Sequence, residues 1–589
     1  RENPEETQIA LTDKGQPLHA PGYNHYSFAS DKWQQDFGFA LQQLLQHCEK
    51  SAYRQRIIGY CPMSGDGGEW SYGFRNYLSD YSEPQRRAFS KYAQNKYNNS
   101  LSELQKAWNS NEKSFADIQI PDYQRRLQGD LGLFFDPRKS QKIIDFNQHF
   151  SHTVITAIRH MGQIIRNHAP GKLSCFYYGY HFMPGTQNGD LVNTGHRALA
   201  ELLQAPEIDA IGSPQMYYNR SSGGAALSQT VVKSIQLNNK LWLNEDDTRT
   251  YLTGKFWPNF PPPFEKNYDA SLAVLLRNAA FTLFKSNGRL MWMEMGVNWF
   301  NHPGFIALAQ KIRADKDFQL SEKPEVVLVV SDSSYNHMRF SRELSEPLLA
   351  RSMMHTFTKL GAPIDTILLS DLEKAPDYRL YVFMDCCILN QQQIDIIQAK
   401  VKRNQASVLW MYAPGFGDGE KLALANSEKL TGFKLDLIED AVSIRVRGQE
   451  ALTAQLAPML IYAGSEPGLD SLEMTFRKQT CSVPILQKKT MPGSWTSYWC
   501  GAPLITLSGL QRIAAAAGVH LFSQHSDQVF YNGRLLVVHA ETDGNRDIAL
   551  PETAMVFDWM TEEQITPTKT NHFTINMNSG ETIAFRILK

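Results

Sequence analysis

The sequence lacks charge imbalance: 59 Lys and Arg stand against 60 Asp and Glu, for a net charge of −1, and no long run carries one sign. That excludes the basic footprint of a nucleic-acid binder and the cationic face of a membrane-surface protein. The seven cysteines, Cys48, Cys61, Cys175, Cys386, Cys387, Cys481 and Cys500, form no Cys-x-x-Cys pair and no Cys/His cluster at zinc-ligand spacing. Neither a disulfide framework nor a structural metal site is indicated, and they are expected to be mostly buried thiols. No run of 18 or more apolar residues is present, so no membrane-spanning helix is expected, and the polar start RENPEETQIALTDKG has no signal-peptide apolar core. Repeats and low-complexity linkers are absent too. What remains is a globular composition, 42% hydrophobic and 20% charged, whose partner is expected to be a neutral or small molecule.

At 589 residues the chain exceeds one core, and its patterning divides it into three. From Ser30 to about Leu320, short apolar runs alternate with amphipathic helices, the pattern of βα units around a parallel sheet. Strands are expected in RIIGYCP (56–62), KLSCFYYGY (172–180), IDAIGSPQMYY (208–218), KLWLNEDD (240–247) and RLMWMEMG (289–296). Ser30 is expected to cap the helix that starts at Asp31, and Asp269 to open the one that Asn287-Gly288 closes. Residues 127–142 have the look of a loop insertion. Five strands are too few for a closed (β/α)8 barrel at roughly 30 residues per unit. Either about three units precede Arg1 or the sheet is open. From residue 321 to 519, EVVLVVSD, APIDTILLSD, YRLYVFMDC and ASVLWMYAPG predict a flavodoxin-like doubly wound region. From 520 to 589, VFYNGRLLVV and HFTINMNSGETIAFRI predict two hairpins of a small β-sandwich.

In a βα-barrel the reacting groups follow the strands. The strand ending near Cys61 delivers Glu69 and Trp70 after a glycine-rich turn. The next ends in Tyr177, Tyr178, Tyr180 and His181, and the third in Gln215, Tyr217 and Tyr218. LWLNEDDTRT then supplies Glu245, Asp246, Asp247 and Arg249, and MWMEMGVNWF supplies Trp292, Glu294 and Trp299. Carboxylates mixed with aromatic faces suit a sugar. Glycosidic cleavage needs one carboxylic acid to protonate the leaving oxygen and a second carboxylate as nucleophile or base. Aromatic rings cover the C–H faces of a pyranose, and amide, phenol and imidazole groups read its hydroxyls. A lone Glu in a glycine-rich loop is commonly just solvated. Three acids directly after Leu-Trp-Leu, by contrast, crowd charge at the end of a buried strand.

The succession Ser27-Phe28-Ala29-Ser30 with Trp33, then IIGY…GGEW, LWLNEDDTRT and MWMEMGVNWF, resembles the glycoside hydrolase family 42 type of β-galactosidase. The order of barrel, flavodoxin-like domain and small β-domain resembles that family as well, over nearly the whole chain. The resemblance implies a retaining, exo-acting glycoside hydrolase of oligosaccharides that needs no cofactor. It makes Glu69, at the fourth barrel strand, the general acid/base and Glu245, at the seventh, the nucleophile. It implies that strands one to three precede Arg1, giving a catalytic barrel over 1–320, a trimerisation domain over 321–519 and a C-terminal β-sandwich over 520–589. Two features depart from the family pattern: Gly68 stands where an Asn usually precedes the acid/base, and the zinc-binding cysteines of some members are missing, so no metal is expected.

Around the carboxylates, Trp70, Tyr180, His181, Gln215, Tyr217, Arg249, Trp292, Glu294 and Trp299 are the expected substrate contacts. Trp70 is expected to wall Glu69, raising its pKa, while Arg249 keeps Glu245 ionised. Asp246 and Asp247 are expected to orient Arg249 or its loop. Two other classes fit parts of the sequence. One is a carbohydrate-binding protein without catalysis. The other is a thiol hydrolase of amidotransferase type using Cys386 or Cys387, although the small residues of a nucleophile elbow are missing there.

Overall fold

The computed structural model describes residues 8–20, 23–73, 77–182, 191–256, 264–294 and 298–589. Five strands, Gly59–Tyr60, Leu173–Tyr177, Ala210–Pro214, Leu241–Asp246 and Gly288–Trp292, pair in parallel and in chain order. This is an arc of a (β/α)8 barrel. Each strand lies inside its predicted segment or one residue from it; Met295 and Gly296, the end of the fifth prediction, lie outside the described residues.

Ser30 caps the helix Asp31–Lys50 by accepting the Trp33 amide N–H at 3.2 Å. That helix buries Trp33, Leu41 and Leu45 and packs on the 32-residue helix Pro137–His168. The long helix starts inside the stretch expected to be an insertion. Asp136 caps it, with Pro137 at the first position, where a missing N–H costs nothing. The helix before the fifth strand is capped by Asn267, with Asp269 in the first turn rather than opening it. It ends at Leu283, and Gly288 already belongs to the strand.

In the second region, five parallel strands lie in the sheet order Ile364–Leu368, Val326–Val330, Leu380–Phe383, Ser407–Met411, Trp495–Cys500. By sequence rank this is 2-1-3-4-5, the flavodoxin-like order. Four antiparallel strands from residues 442–491 extend the same sheet, which the sequence reading did not foresee. The C-terminal region is all β, with five antiparallel strands joined in one sheet. Gln528–Tyr531 and Leu535–His539 form the predicted hairpin, with the Asn532 side chain accepting the Arg534 and Leu535 amides at 3.1 and 2.9 Å. The second predicted hairpin does not pair with itself. The long strand Gly544–Asp558 lies between its two arms, pairing with Thr570–Met577 through its first part and with Thr582–Leu588 through its last.

The regions are locked together by buried polar contacts. His181 Nε2 lies 2.8 Å from Asp385 Oδ2, and Asp385 also accepts the Ser331 N–H at 2.7 Å. Lys285 pairs with Glu322 and, at 3.2 Å, with Asp365, and the Gly223 N–H donates to His539 Nε2 at 3.1 Å. The His181 and Gly223 contacts fix loops that follow barrel strands, and the Lys285 pairs tie down the approach to the fifth strand.

Candidate active site

After Gly59–Tyr60 the chain folds into a tight loop. The Trp70 N–H donates to Ser64 O at 2.6 Å, the Asp66 N–H to Ser71 O at 3.0 Å, and the Glu69 N–H to Asp66 O at 3.0 Å. The loop passes through left-handed backbone, which glycine adopts without a steric penalty. At Gly65 (φ +77) a Cβ would stand 2.5 Å from the Ser71 carbonyl oxygen, and at Gly68 (φ +81) it would stand 3.0 Å from the Met63 Cβ. An Asn at 68 therefore does not fit this loop without displacing Met63.

Trp70 also sits at positive φ (+53). Its ring pays for that strain by packing among Phe28, Trp33, Phe37 and Phe176, and its Nε1 donates to Pro62 O at 2.8 Å. At 0% exposure Trp70 is a core anchor rather than the expected wall of the opening. Its burial leaves the neighbouring Glu69 half-buried, and the Tyr180 phenol donates to Glu69 Oε1 at 3.2 Å.

Burial raises the Glu69 carboxyl well above the ordinary carboxylate range, and the charge of Glu245 is the next contribution. Asp66 and Asp247 push the same way, and the Tyr180 hydrogen bond opposes them. Glu245 closes the strand Leu241–Asp246 opposite Pro214, at 4% exposure. It too is raised, to about 7, first by burial; the nearby Tyr177 phenol works the other way, and Asp247 and Asp246 raise it further. The expectation of a fully ionised Glu245 held by Arg249 therefore needs correction. The cation that lowers it is Arg220, which pairs with Asp247 and lies 4.5 Å over the Tyr217 ring. Arg220 is held in turn by Arg277, whose Nη2 donates to the Arg220 carbonyl at 2.5 Å. Asp246 turns away to Thr248 N (3.2 Å) and Asn278 Nδ2 (3.1 Å). Neither Glu69 nor Glu245 takes part in an ion pair among the described residues.

The structure thus brings Glu69, Glu245, Tyr180 and Tyr217 into one electrostatic neighbourhood: the phenols of Tyr180 and Tyr217 are both raised by burial and by the two carboxylates. Arg249 is half-buried beside it, under the influence of Arg220, Asp247 and Tyr217. Trp292, half-buried, stacks on Phe300 at 5.2 Å. Four expected contacts go elsewhere. His181 is spent on Asp385. Trp299 is 0% exposed and packs inside, its N–H donating to Glu294 Oε2 at 2.6 Å, so Glu294 braces a loop. Gln215 is 1% exposed and meets the site through its backbone N–H, 3.2 Å from Glu245 O. Sequence reasoning missed Arg220, three residues after Tyr217, and His196, considered below. Tyr177 stands at its strand end in the sequence, but nothing in the pattern there marks its place beside Glu245. Cys386 and Cys387 are buried thiols raised well above their usual range, unsuited to act as nucleophiles. A polar cavity of about 810 Å³ lies wholly within residues 341–480; Arg342 and Arg351 there pair with Glu346, and Arg445 pairs with Glu473.

Residues 10–187, which include Glu69 but stop short of Glu245, match the glycoside hydrolase family 42 model, described as β-galactosidase. The fold is similar to that of Gan42B, a GH42 β-galactosidase from G. stearothermophilus solved as a catalytic mutant. The TM-score is 0.64 and the identity 13%, covering 100% of this chain and 86% of that one. A β-galactosidase from Bacillus circulans sp. alkalophilus gives 0.64 at 13% identity, covering 98% and 86%. An exo-carrageenase GH42 from Bacteroides ovatus gives 0.53 at 11%, covering 100% and 72%. No curated protein matches the chain by sequence.

Proposed function

We propose that this chain, a divergent relative of the family 42 β-galactosidases, is a retaining, exo-acting glycoside hydrolase with Glu69 as general acid/base and Glu245 as nucleophile. The observation that carries the proposal is the coupling of two carboxyls at barrel strand ends, both raised by burial, with the Glu245 charge favouring the proton on Glu69. Two such groups titrate as a pair, and the form holding one proton has the division of labour that glycosidic cleavage needs.

Glu69 gives its proton to the glycosidic oxygen as the bond to the anomeric carbon breaks, and a Glu245 oxygen attacks that carbon to form a glycosyl ester. Glu69, now a carboxylate, removes a proton from water. The water oxygen displaces Glu245, and the net change is one glycosidic bond exchanged for two O–H-terminated products. Tyr180 holds Glu69 by a hydrogen bond, and the Tyr177 phenol favours the charge on Glu245. Tyr217, Arg249 and the Trp292–Phe300 stack are the side chains we assign to the sugar. The likeness to β-galactosidases and to an exo-carrageenase supports β-linked galactose as the substrate class. The flavodoxin-like region is proposed to assemble copies of the chain.

Proton NMR of the first product formed from aryl β-galactosides and from galactan or carrageenan oligosaccharides tests this reading. The β-anomer should appear first and then mutarotate. Initial α-anomer would overturn retention, and binding without turnover across the series would overturn hydrolysis.

A further inference from the structure

Residues Thr194 to Ala198 join the acid loop to the strand end that carries Tyr180. The Thr194 carbonyl accepts the Tyr72 N–H at 3.2 Å and the Ser71 hydroxyl at 3.4 Å. The Gly195 carbonyl accepts the Tyr178 phenol at 2.7 Å. Between them His196, buried and packed at 4.6 Å on the Tyr178 ring and 4.7 Å edge-on to Tyr180, uses both ring nitrogens. Its Nδ1 lies 3.2 Å from the Tyr180 amide nitrogen, and its Nε2 lies 3.0 Å from the Glu69 carbonyl oxygen.

These partners settle the tautomer. A backbone N–H can only donate, so Nδ1 carries no proton, and a carbonyl can only accept, so Nε2 does. The ring is the neutral Nε2–H form, and burial keeps it neutral by lowering its pKa to about 3.

We infer that His196 is a positioning residue for Glu69. The imidazole is a two-ended strut that fixes the main chain of Tyr180 and of Glu69 at once, and so sets the phenol–carboxyl hydrogen bond between them. This rests on the acid/base role proposed above. The charged and titratable groups facing the Glu69 carboxyl are Glu245, Asp66, Asp247 and Tyr180; of these only Tyr180 lowers its pKa. Without the strut the phenol moves off, the acid is misplaced and its pKa rises further.

The test compares His196→Ala, His196→Gln and Tyr180→Phe by kcat/KM on two substrates, methyl β-galactoside, whose leaving group needs a proton, and 2,4-dinitrophenyl β-galactoside, whose leaving group does not. For His196→Ala the expected loss is about 100-fold on the first substrate and less than about threefold on the second, the span of a general-acid contribution. The alkaline limb of the pH profile should move to higher pH in both His196→Ala and Tyr180→Phe. His196→Gln, which restores an N–H donor toward the Glu69 carbonyl, should recover most of the loss. Equal losses on both substrates, or none, overturn the inference, since a merely structural histidine would not discriminate between leaving groups. Failure of the acid assignment itself is distinguishable: wild type would then show no turnover, or Glu69→Gln would show no leaving-group dependence.

Discussion

Replacing Glu245 with glycine is expected to lower kcat/KM by about 10⁴-fold or more, the scale on which losing a covalent nucleophile is felt. Azide added to that variant with an activated aryl β-galactoside should enter the vacated space and yield the α-galactosyl azide. The β-azide would place Glu245 on the acid side of the reaction. The same residue predicts a stability effect. Its carboxyl is held at about 7 in the fold against an ordinary value of 4.5. A carboxyl raised by folding favours the protonated native state, so its stabilisation is complete below about pH 4.5 and is lost as pH rises through 7. The loss amounts to about 3 kcal/mol by pH 8, from about 1.4 kcal/mol per pH unit. Glu245→Gln, which stays neutral, should therefore melt at progressively higher temperature than wild type between pH 5 and pH 8 by scanning calorimetry. A difference independent of pH would mean that burial does not strain this carboxylate.

Glu69→Gln should cost roughly 10²–10⁴-fold on alkyl galactosides, the range for a general acid, and far less on dinitrophenyl galactoside. Here azide should give the β-galactosyl azide by attacking the glycosyl-enzyme. Wild-type kcat/KM should fall as pH drops through about 7, where Glu245 takes up a proton. It should fall again on the alkaline side, where Glu69, raised by burial and by the Glu245 charge, loses its proton. In Glu69→Gln the alkaline limb disappears while the acid limb stays. An alkaline limb that survives the substitution would assign the proton donor elsewhere.

Much of the barrel arc was legible because a buried parallel strand is an apolar run with a helix on either side, and five such runs stand out between Ile57 and Trp292. Of the candidate carboxylates, Glu245 was legible because three acids crowd one strand end, whereas Glu69, a lone acid in a glycine-rich loop, stood out only through the family resemblance. The direction each loop residue takes was not legible. Trp70 and Trp299 follow strands as a sugar platform would, yet both turn back into the core: Trp70 because its left-handed backbone aims the ring at the Phe28 cluster, Trp299 because its backbone is tied to Glu294. The partner of His181 lies 204 residues away, and the strut through His196 joins residues 69, 180 and 196 that share no pattern. Pairings of that kind arise from the packing of regions, which single-sequence periodicity does not encode. The antiparallel extension over residues 442–491 was missed for a related reason: its exposed strands carry too few apolar residues to stand out from loops.

The central claim is that Glu245 becomes covalently bonded to the sugar. The direct measurement is to inactivate the protein with an activated 2-deoxy-2-fluoro-β-galactoside and map the modified residue by peptide mass spectrometry. A fluorogalactosyl ester on Glu245, within the peptide containing LWLNEDDTR, is the predicted result. An ester on Glu69, Asp246 or Asp247, or unmodified protein that continues to turn over galactosides, would contradict it.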